Sequence, residues 1–182
     1  MKEKDLKNVA DKAFENLGTE TFDLIIEHEI QGITPEMLHW WWRAMMEPGN
    51  YKLWHPEDHV SAAWEVSPAG KTLVGGIRNV VEKIGKFPVR TLRIRIEDPS
   101  SSPIKATYTH VNATSIIGPD NKPVVWITHE YRAESYGVRM RSTFRLSKNS
   151  PQQFVDALRQ HNKEEMGEFP NFLPELYRKR SQ

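Results

Sequence analysis

His161 and Glu165 stand four residues apart in the run Ser150 to Met166, which carries its own helix signals. An imidazole and a carboxylate one turn apart project to the same side of a helix and can offer one nitrogen and one oxygen to a single cation. Phe154 and Leu158 precede them at helical steps, so the two ligand-type side chains prolong an apolar, core-facing stripe. Elsewhere His59 closes an aromatic segment that begins at Tyr51, and Glu82 ends the apolar run Ile77-Arg78-Asn79-Val80-Val81. Two imidazoles and two carboxylates form a nitrogen and oxygen set that suits Zn²⁺, with Fe²⁺ or Mn²⁺ as alternatives. The chain has seven histidines, and spacing alone leaves His55 open beside His59, and Glu65 or Glu97 beside Glu82.

Composition narrows the chemistry. The 182 residues contain no cysteine, which excludes thiolate metal sites, a cysteine nucleophile and a disulfide framework. Basic and acidic residues number 25 and 24 and are interspersed, giving a net charge of +1, so a nucleic-acid partner is not expected. No apolar run reaches the length of a signal peptide core or a membrane span, so the expectation is a cytoplasmic protein with no membrane partner. Six tryptophans, three of them adjacent at Trp40-Trp41-Trp42, point to a thick core or an aromatic-lined cavity. Consecutive helical side chains diverge by about 100°, so only one or two of these indoles can face such a cavity.

The elements that would position the ligands follow from periodicity. Leu6, Val9, Ala10, Ala13, Phe14 and Leu17 predict an amphipathic N-terminal arm over residues 1–20, leaving 21–182 as the domain that carries the ligand-type residues. Thr21 to Ile30 alternates as a half-buried strand, and Thr34-Pro35 opens a helix that runs to Pro48-Gly49. Glu57 or Asp58 is expected to open a short helix through Trp64. From Lys71 the period changes to two. Leu73–Val81, Val89–Glu97, Ile104–Ile116, Val124–Tyr136 and Val138–Leu146 read as an antiparallel meander with short connections. Arg93, Arg95, Arg139, Arg141 and Arg145 alternate with apolar residues, so one sheet face is solvated. The last helix should be capped by Ser150, with Pro151 at its first position and Gln153 completing a capping box, and should give way to an extended tail at Phe169-Pro170. This order predicts an α+β, helix-grip (Bet v 1/START-like) fold, a curved antiparallel sheet wrapped around a long C-terminal helix. His161 and Glu165 would then face the cavity between them.

The run Trp40-Trp41-Trp42, the segment Tyr51-Lys52-Leu53-Trp54-His55-Pro56-Glu57-Asp58-His59, the stretch Val80-Val81-Glu82-Lys83-Ile84-Gly85 and the closing His161-x-x-x-Glu165 resemble the 2,4-diacetylphloroglucinol hydrolase family over roughly residues 22 to 168. The resemblance implies a zinc-dependent enzyme that cleaves a carbon–carbon bond between an acyl group and an aromatic, polyphenol-like ring, or a related 1,3-diketone. It implies zinc ligands at His59, Glu82, His161 and Glu165, and substrate-contacting residues at Tyr51, His110 and Tyr136. Where the family carries an asparagine shortly after the first zinc histidine, this sequence has Ala62. The implied mechanism is a hydrolytic retro-Claisen cleavage of a small aromatic ketone, with His110, Tyr136 or His129 as general acid, in a chain that can form a homodimer. Two other readings use the same residue types: a non-haem iron oxygenase, and a metal-free helix-grip carrier of an aromatic or lipid ligand.

Overall fold

The computed structural model describes residues 2–180. Seven strands, β1 (Thr21–Gln31), β2 (His59–Val66), β3 (Ile77–Glu82), β4 (Arg90–Ile96), β5 (His110–Ile117), β6 (Pro123–Glu134) and β7 (Gly137–Ser147), form one sheet. Its order is β1-β7-β6-β5-β4-β3-β2, antiparallel throughout. The meander forms as periodicity predicts, except that β3 and β5 begin at Ile77 and His110, later than the expected Leu73 and Ile104, and β1 extends it by pairing along its whole length with β7, from Thr21 opposite Ser147 to Gln31 opposite Gly137. Helices α1 (Glu3–Ala13), α2 (Pro35–Ala44) and α3 (Asn50–Trp54) flank the sheet, and α4 (Gln152–Lys179) runs across its concave face. Thr34 caps α2 by accepting the Met37 amide, as its sequence signals require.

The solvent face carries the alternating arginines, each with a carboxylate partner. Arg93 grips Glu65 at 2.6 and 2.8 Å, Arg95 meets Glu97 at 2.7 Å, and Arg145 holds Asp23 at 2.7 Å. Glu65 and Glu97 are thus engaged on the outer face, and Glu82 is the acidic residue that this sheet turns inward.

Three expectations fail for identifiable reasons. Residues 59–64 form strand β2, not a helix, because Pro56 holds His55 extended and His59 pairs directly with Glu82. The Asp58 carboxylate that would cap a helix instead accepts from Gly85 N at 2.9 Å. Ser150 does not cap α4; the helix starts after Pro151 without a side-chain cap, and no capping box forms at Gln153. Nor does α4 end at Phe169. It runs on to Lys179, 28 residues in all and about 42 Å at 1.5 Å per residue, with Pro170 and Pro174 inside it. Each internal proline removes a backbone hydrogen bond at a cost of about 3 kcal/mol. Packing offsets that cost, since Phe169 and Leu173 are fully buried and Phe169 and Phe172 meet Trp41 edge-on. The N-terminal arm also joins this core. Ala10 and Ala13 of α1 are buried, and Phe14 packs edge-on against Phe154 at 5.2 Å.

Candidate metal centre

Three elements deliver the four ligand-type side chains. α4 presents His161 and Glu165 inward, β2 begins at His59, and β3 ends at Glu82, which the strand register sets directly opposite His59. All four residues are buried. His59 Nε2 lies 3.6 Å from Glu82 Oε2 and 3.7 Å from Glu165 Oε2, and His161 Nε2 lies 4.0 Å from Glu165 Oε2. Ligand atoms arranged tetrahedrally around a zinc ion at 2.0–2.1 Å sit about 3.3 Å apart, so these separations need only tenths of an ångström of contraction. The ligand atoms of His59, His161 and Glu165 fall within 4.8 Å of one another, and Glu82 approaches this trio from the His59 side.

Each of these side chains is held by a neighbour that fixes its orientation. The His59 Nδ1–H donates to the Tyr51 carbonyl at 3.2 Å, which leaves the Nε2 lone pair facing the centre, buried and without a hydrogen-bond partner. The His161 Nδ1–H donates to Asp58 Oδ2 at 2.9 Å, giving the carboxylate–histidine pairing typical of metal-ligating imidazoles. The Tyr51 hydroxyl donates to Glu82 Oε2, and Asn162 Nδ2 donates to Glu165 Oε1 at 2.7 Å. Asn162 is itself positioned by His28 Nε2–H at 3.0 Å. A buried imidazole nitrogen with no partner, next to two carboxylates, is what a cation site needs and what a satisfied hydrogen-bond network would not leave. The residues present therefore fit a divalent metal held by nitrogen and oxygen.

Without a metal, the four groups and their neighbours hold their protons to different degrees. Burial alone would lower the His161 pKa, but its hydrogen bond to Asp58 and the charges of Glu165 and Glu82 outweigh it and raise it to about 9. Burial raises Glu165 to about 7, against the opposing pull of His161 and Asn162. Burial, reinforced by the His161 charge, pushes His59 well below its ordinary value, so His59 stays neutral and able to ligate. Burial resists ionisation of Asp58, yet the hydrogen bonds from His161 and Gly85 hold it below the usual carboxylate range. Tyr51 is raised well above its ordinary value by burial and by Glu82, so it keeps its proton.

His55 falls in a second group, not in that of His59, His161 and Glu165. Its Nδ1 accepts from Asp58 N at 3.2 Å and its Nε2 faces Glu164 at 3.2 Å, while its ring stacks on His161 at 4.7 Å. With Asp58 and His161 it forms a further close group that supports the outer side of His161.

Of the expected substrate-contacting residues, only Tyr51 lines the central cavity, a space of about 70 Å³ that Glu82, His161 and Glu165 also border. His110 lies in a separate outer groove of about 720 Å³ between α2, β4 and β5, its ring stacked on Tyr131 at 5.3 Å. Tyr136 sits in the turn between β6 and β7 and borders neither space. The register explains both departures, since His110 starts β5 at the sheet's outer end and Tyr136 lies beyond the last paired residue of β6. His129 does line the cavity, stacked on Trp42 at 5.5 Å with its Nδ1 against Ser142 Oγ at 2.9 Å. Burial, chiefly, lowers its pKa to about 3, so the ring is neutral. Of the three adjacent tryptophans Trp42 borders the cavity, Trp41 is core, and Trp40 packs edge-on against Tyr177.

Sequence reasoning missed the supporting residues Asp58, Asn162 and His28. Asp58 lay inside the quoted Trp-His-Pro-Glu-Asp-His segment. Asn162 adjoins a ligand on the helix, and His28 shares the inward parity of Leu24 and Ile26 in β1.

A sheet gripping a helix, with buried histidine and glutamate side chains converging between them, defines a helix-grip domain with a group that could hold a metal ion. The chain belongs to the DAPG hydrolase family: the family model, described as DAPG hydrolase PhiG domain, matches residues 20–178. That membership implies hydrolase activity. No match was found among the curated proteins compared with it. Among solved structures, Ara h 8.0201 superposes with a TM-score of 0.57 at 12% identity, covering 85% of this chain and 99% of that one. Protein SA2116 from Staphylococcus aureus gives 0.53 at 16% identity, covering 83% and 94%, and Ms6760 from Mycobacterium smegmatis gives 0.53 at 15%, covering 88% and 95%. At such identities these likenesses show the Bet v 1-like fold alone.

Proposed function

We propose that the protein is a zinc-dependent hydrolase that cleaves the bond between an acyl carbon and an aromatic ring carbon of a small polyphenol-like ketone. The observation that carries this reading is the unpartnered, buried Nε2 of His59 facing Glu82 and Glu165, with His161 completing the set. His59, Glu82, His161 and Glu165 would hold the ion. When bound, such an ion supplies Lewis acidity and makes water a better nucleophile at neutral pH.

The chain's own residues supply the rest. Water oxygen joins the acyl carbon, the ring–acyl bond breaks, and a proton must reach the ring carbon that leaves. The Tyr51 hydroxyl, kept protonated beside Glu82, holds a proton at the edge of the cavity and is the donor nearest the ligand set. Neutral His129, its ring fixed between Trp42 and Ser142, offers a hydrogen bond to a ring hydroxyl, and Trp42 and Trp54 supply flat apolar walls. This reading assigns no role to His110 and Tyr136, which do not line the cavity.

The test is acetate release from diacetylphloroglucinol and other acylated phenols, with Tyr51→Phe expected to lower kcat by 10²-fold or more. Absence of acetate from every acyl phenol, with metal bound, would overturn the proposal. One observation favours a second reading. His59, His161 and Glu165 form a close group of two histidines and one carboxylate, the set used by non-haem iron oxygenases. Iron in the purified protein together with oxygen uptake would select that reading, and one zinc per chain would select hydrolysis.

A further inference from the structure

Arg78 occupies the inward face of β3 and is 4% exposed. It shares that face with Val80 and Glu82 and borders the central cavity. Four residues of strand put its Cα about 13 Å from that of the ligand Glu82. A buried guanidinium is costly unless a carboxylate or a full set of acceptors receives it. Arg78 has neither. Among the described residues its one hydrogen-bond contact is Nη1 to the Met45 sulfur at 2.8 Å, a weak acceptor, and its Nε–H is buried with no partner. Every other arginine on the inside-out alternation of the sheet described above has a carboxylate; Arg78 faces inward without one. A second orphan donor borders the same cavity. Asn112 Nδ2 on β5 is buried without a partner, in a residue that is 8% exposed. Apolar side chains, Val80, Leu92 and Ile94 among them, form much of the remaining wall.

We infer that Arg78, with Asn112, forms an anion-binding end of the cavity, and that the ligand is an aromatic molecule carrying an ionised oxygen, a phenolate or a carboxylate. The anion supplies the acceptors that Arg78 lacks within the chain, and the apolar walls take the ring. The ligand's charged oxygen therefore points away from His59 and Glu165, toward β3 and β5. As a statement about substrate, that an acyl aromatic must be ionised to bind productively, the inference rests on the hydrolase reading. As a statement about an anion subsite it does not.

The experiment uses the purified, metal-loaded protein and four probes: benzoate, 4-nitrophenolate, benzamide and nitrobenzene. Binding is followed by calorimetry and by the side-chain Nε–H resonance of Arg78. The two anions should bind at least tenfold more tightly than their neutral counterparts and shift that resonance. Arg78→Met should erase the preference while changing the affinity for the neutral probes less than threefold, and should raise the unfolding temperature by removing an uncompensated buried charge. Arg78→Lys, which keeps the charge, should retain part of the preference, and it stands in if the Met variant does not fold. Equal binding of benzoate by the parent and Arg78→Met would place the anion at the metal ligands and overturn the subsite. A lowered unfolding temperature in Arg78→Met with probe preference intact would make Arg78 purely structural and overturn it as well. Failure of the hydrolase reading shows separately, as absence of acetate release while the anion preference persists.

Discussion

Replacing Asp58 with asparagine tests how far the support of His161 controls the metal centre. Asp58 Oδ2 receives two donors, His161 Nδ1–H and Gly85 N–H, each at 2.9 Å, and Lys83 lies 3.4 Å from its Oδ1. An asparagine can offer one carbonyl oxygen where the carboxylate offers two charged ones, so the bond to His161 becomes neutral. A hydrogen bond to a charged group contributes about 1.5–3 kcal/mol, against about 0.5–1.5 for a neutral one. The loss of roughly 1–1.5 kcal/mol corresponds to about a 5- to 13-fold weaker metal affinity, at the lower end of the 10- to 100-fold range found when partners of ligating histidines are removed. The assay is competition for Zn²⁺ against a chromophoric chelator at fixed pH, with Glu65→Gln on the solvent face as a control that should leave the affinity unchanged. An Asp58→Asn affinity within twofold of the parent would refute the argument that this carboxylate orients a ligand.

Other predictions follow from the same geometry. In the metal-free protein His161 titrates near 9 and Glu165 near 7, so metal uptake at pH 7 should release between one and two protons, measurable by calorimetry in buffers of different ionisation enthalpy. Affinity should climb by about tenfold per pH unit from 7 to 9 and level off above; release of no protons would contradict these assignments. His28 is lowered to about 4, mainly by burial, against an ordinary value of 6.5. The unfolded chain therefore binds this proton first, and stability conferred by neutral His28 is fully present above pH 6.5 and lost as pH falls toward 4, on the order of 3 kcal/mol. Urea unfolding of the parent and His28→Gln should diverge in slope across that window, and parallel curves would contradict it. Pro174→Ala restores an amide donor for the carbonyl of residue 170 and should stabilise the fold by about 1–3 kcal/mol in chemical unfolding. Destabilisation would mean that α4 is not continuous there.

The helix-borne half of the site was legible because a 3.6-residue period and an apolar stripe fix which way His161 and Glu165 face. Strand alternation likewise placed Arg93, Arg95 and Arg145 outside, where their carboxylate partners are found. What periodicity does not encode is which strand residues meet across the sheet. That Glu82, not Glu65 or Glu97, joins His59 depends on the β2–β3 register and on arginines already holding the other two. The extended tail expected at Phe169 failed because local proline penalties are smaller than the burial gained by Phe169 and Leu173. Asp58 read as a helix opener for the same reason, since its real partners, Gly85 and His161, lie 27 and 103 residues away. Arg78 did leave a signal: it has the inward parity of Val80 and Glu82, which sets it apart from the outward arginines of β4 and β7.

The convergence of His59, Glu82, His161 and Glu165 on one cation is tested most directly by metal content. Protein purified without added metal is analysed by inductively coupled plasma mass spectrometry, alongside His161→Ala and Glu165→Gln shown by circular dichroism to be folded. The expected result is one divalent ion per chain in the parent and less than a tenth of that in His161→Ala, with a large loss in Glu165→Gln. A full equivalent of metal retained by folded His161→Ala would contradict the account.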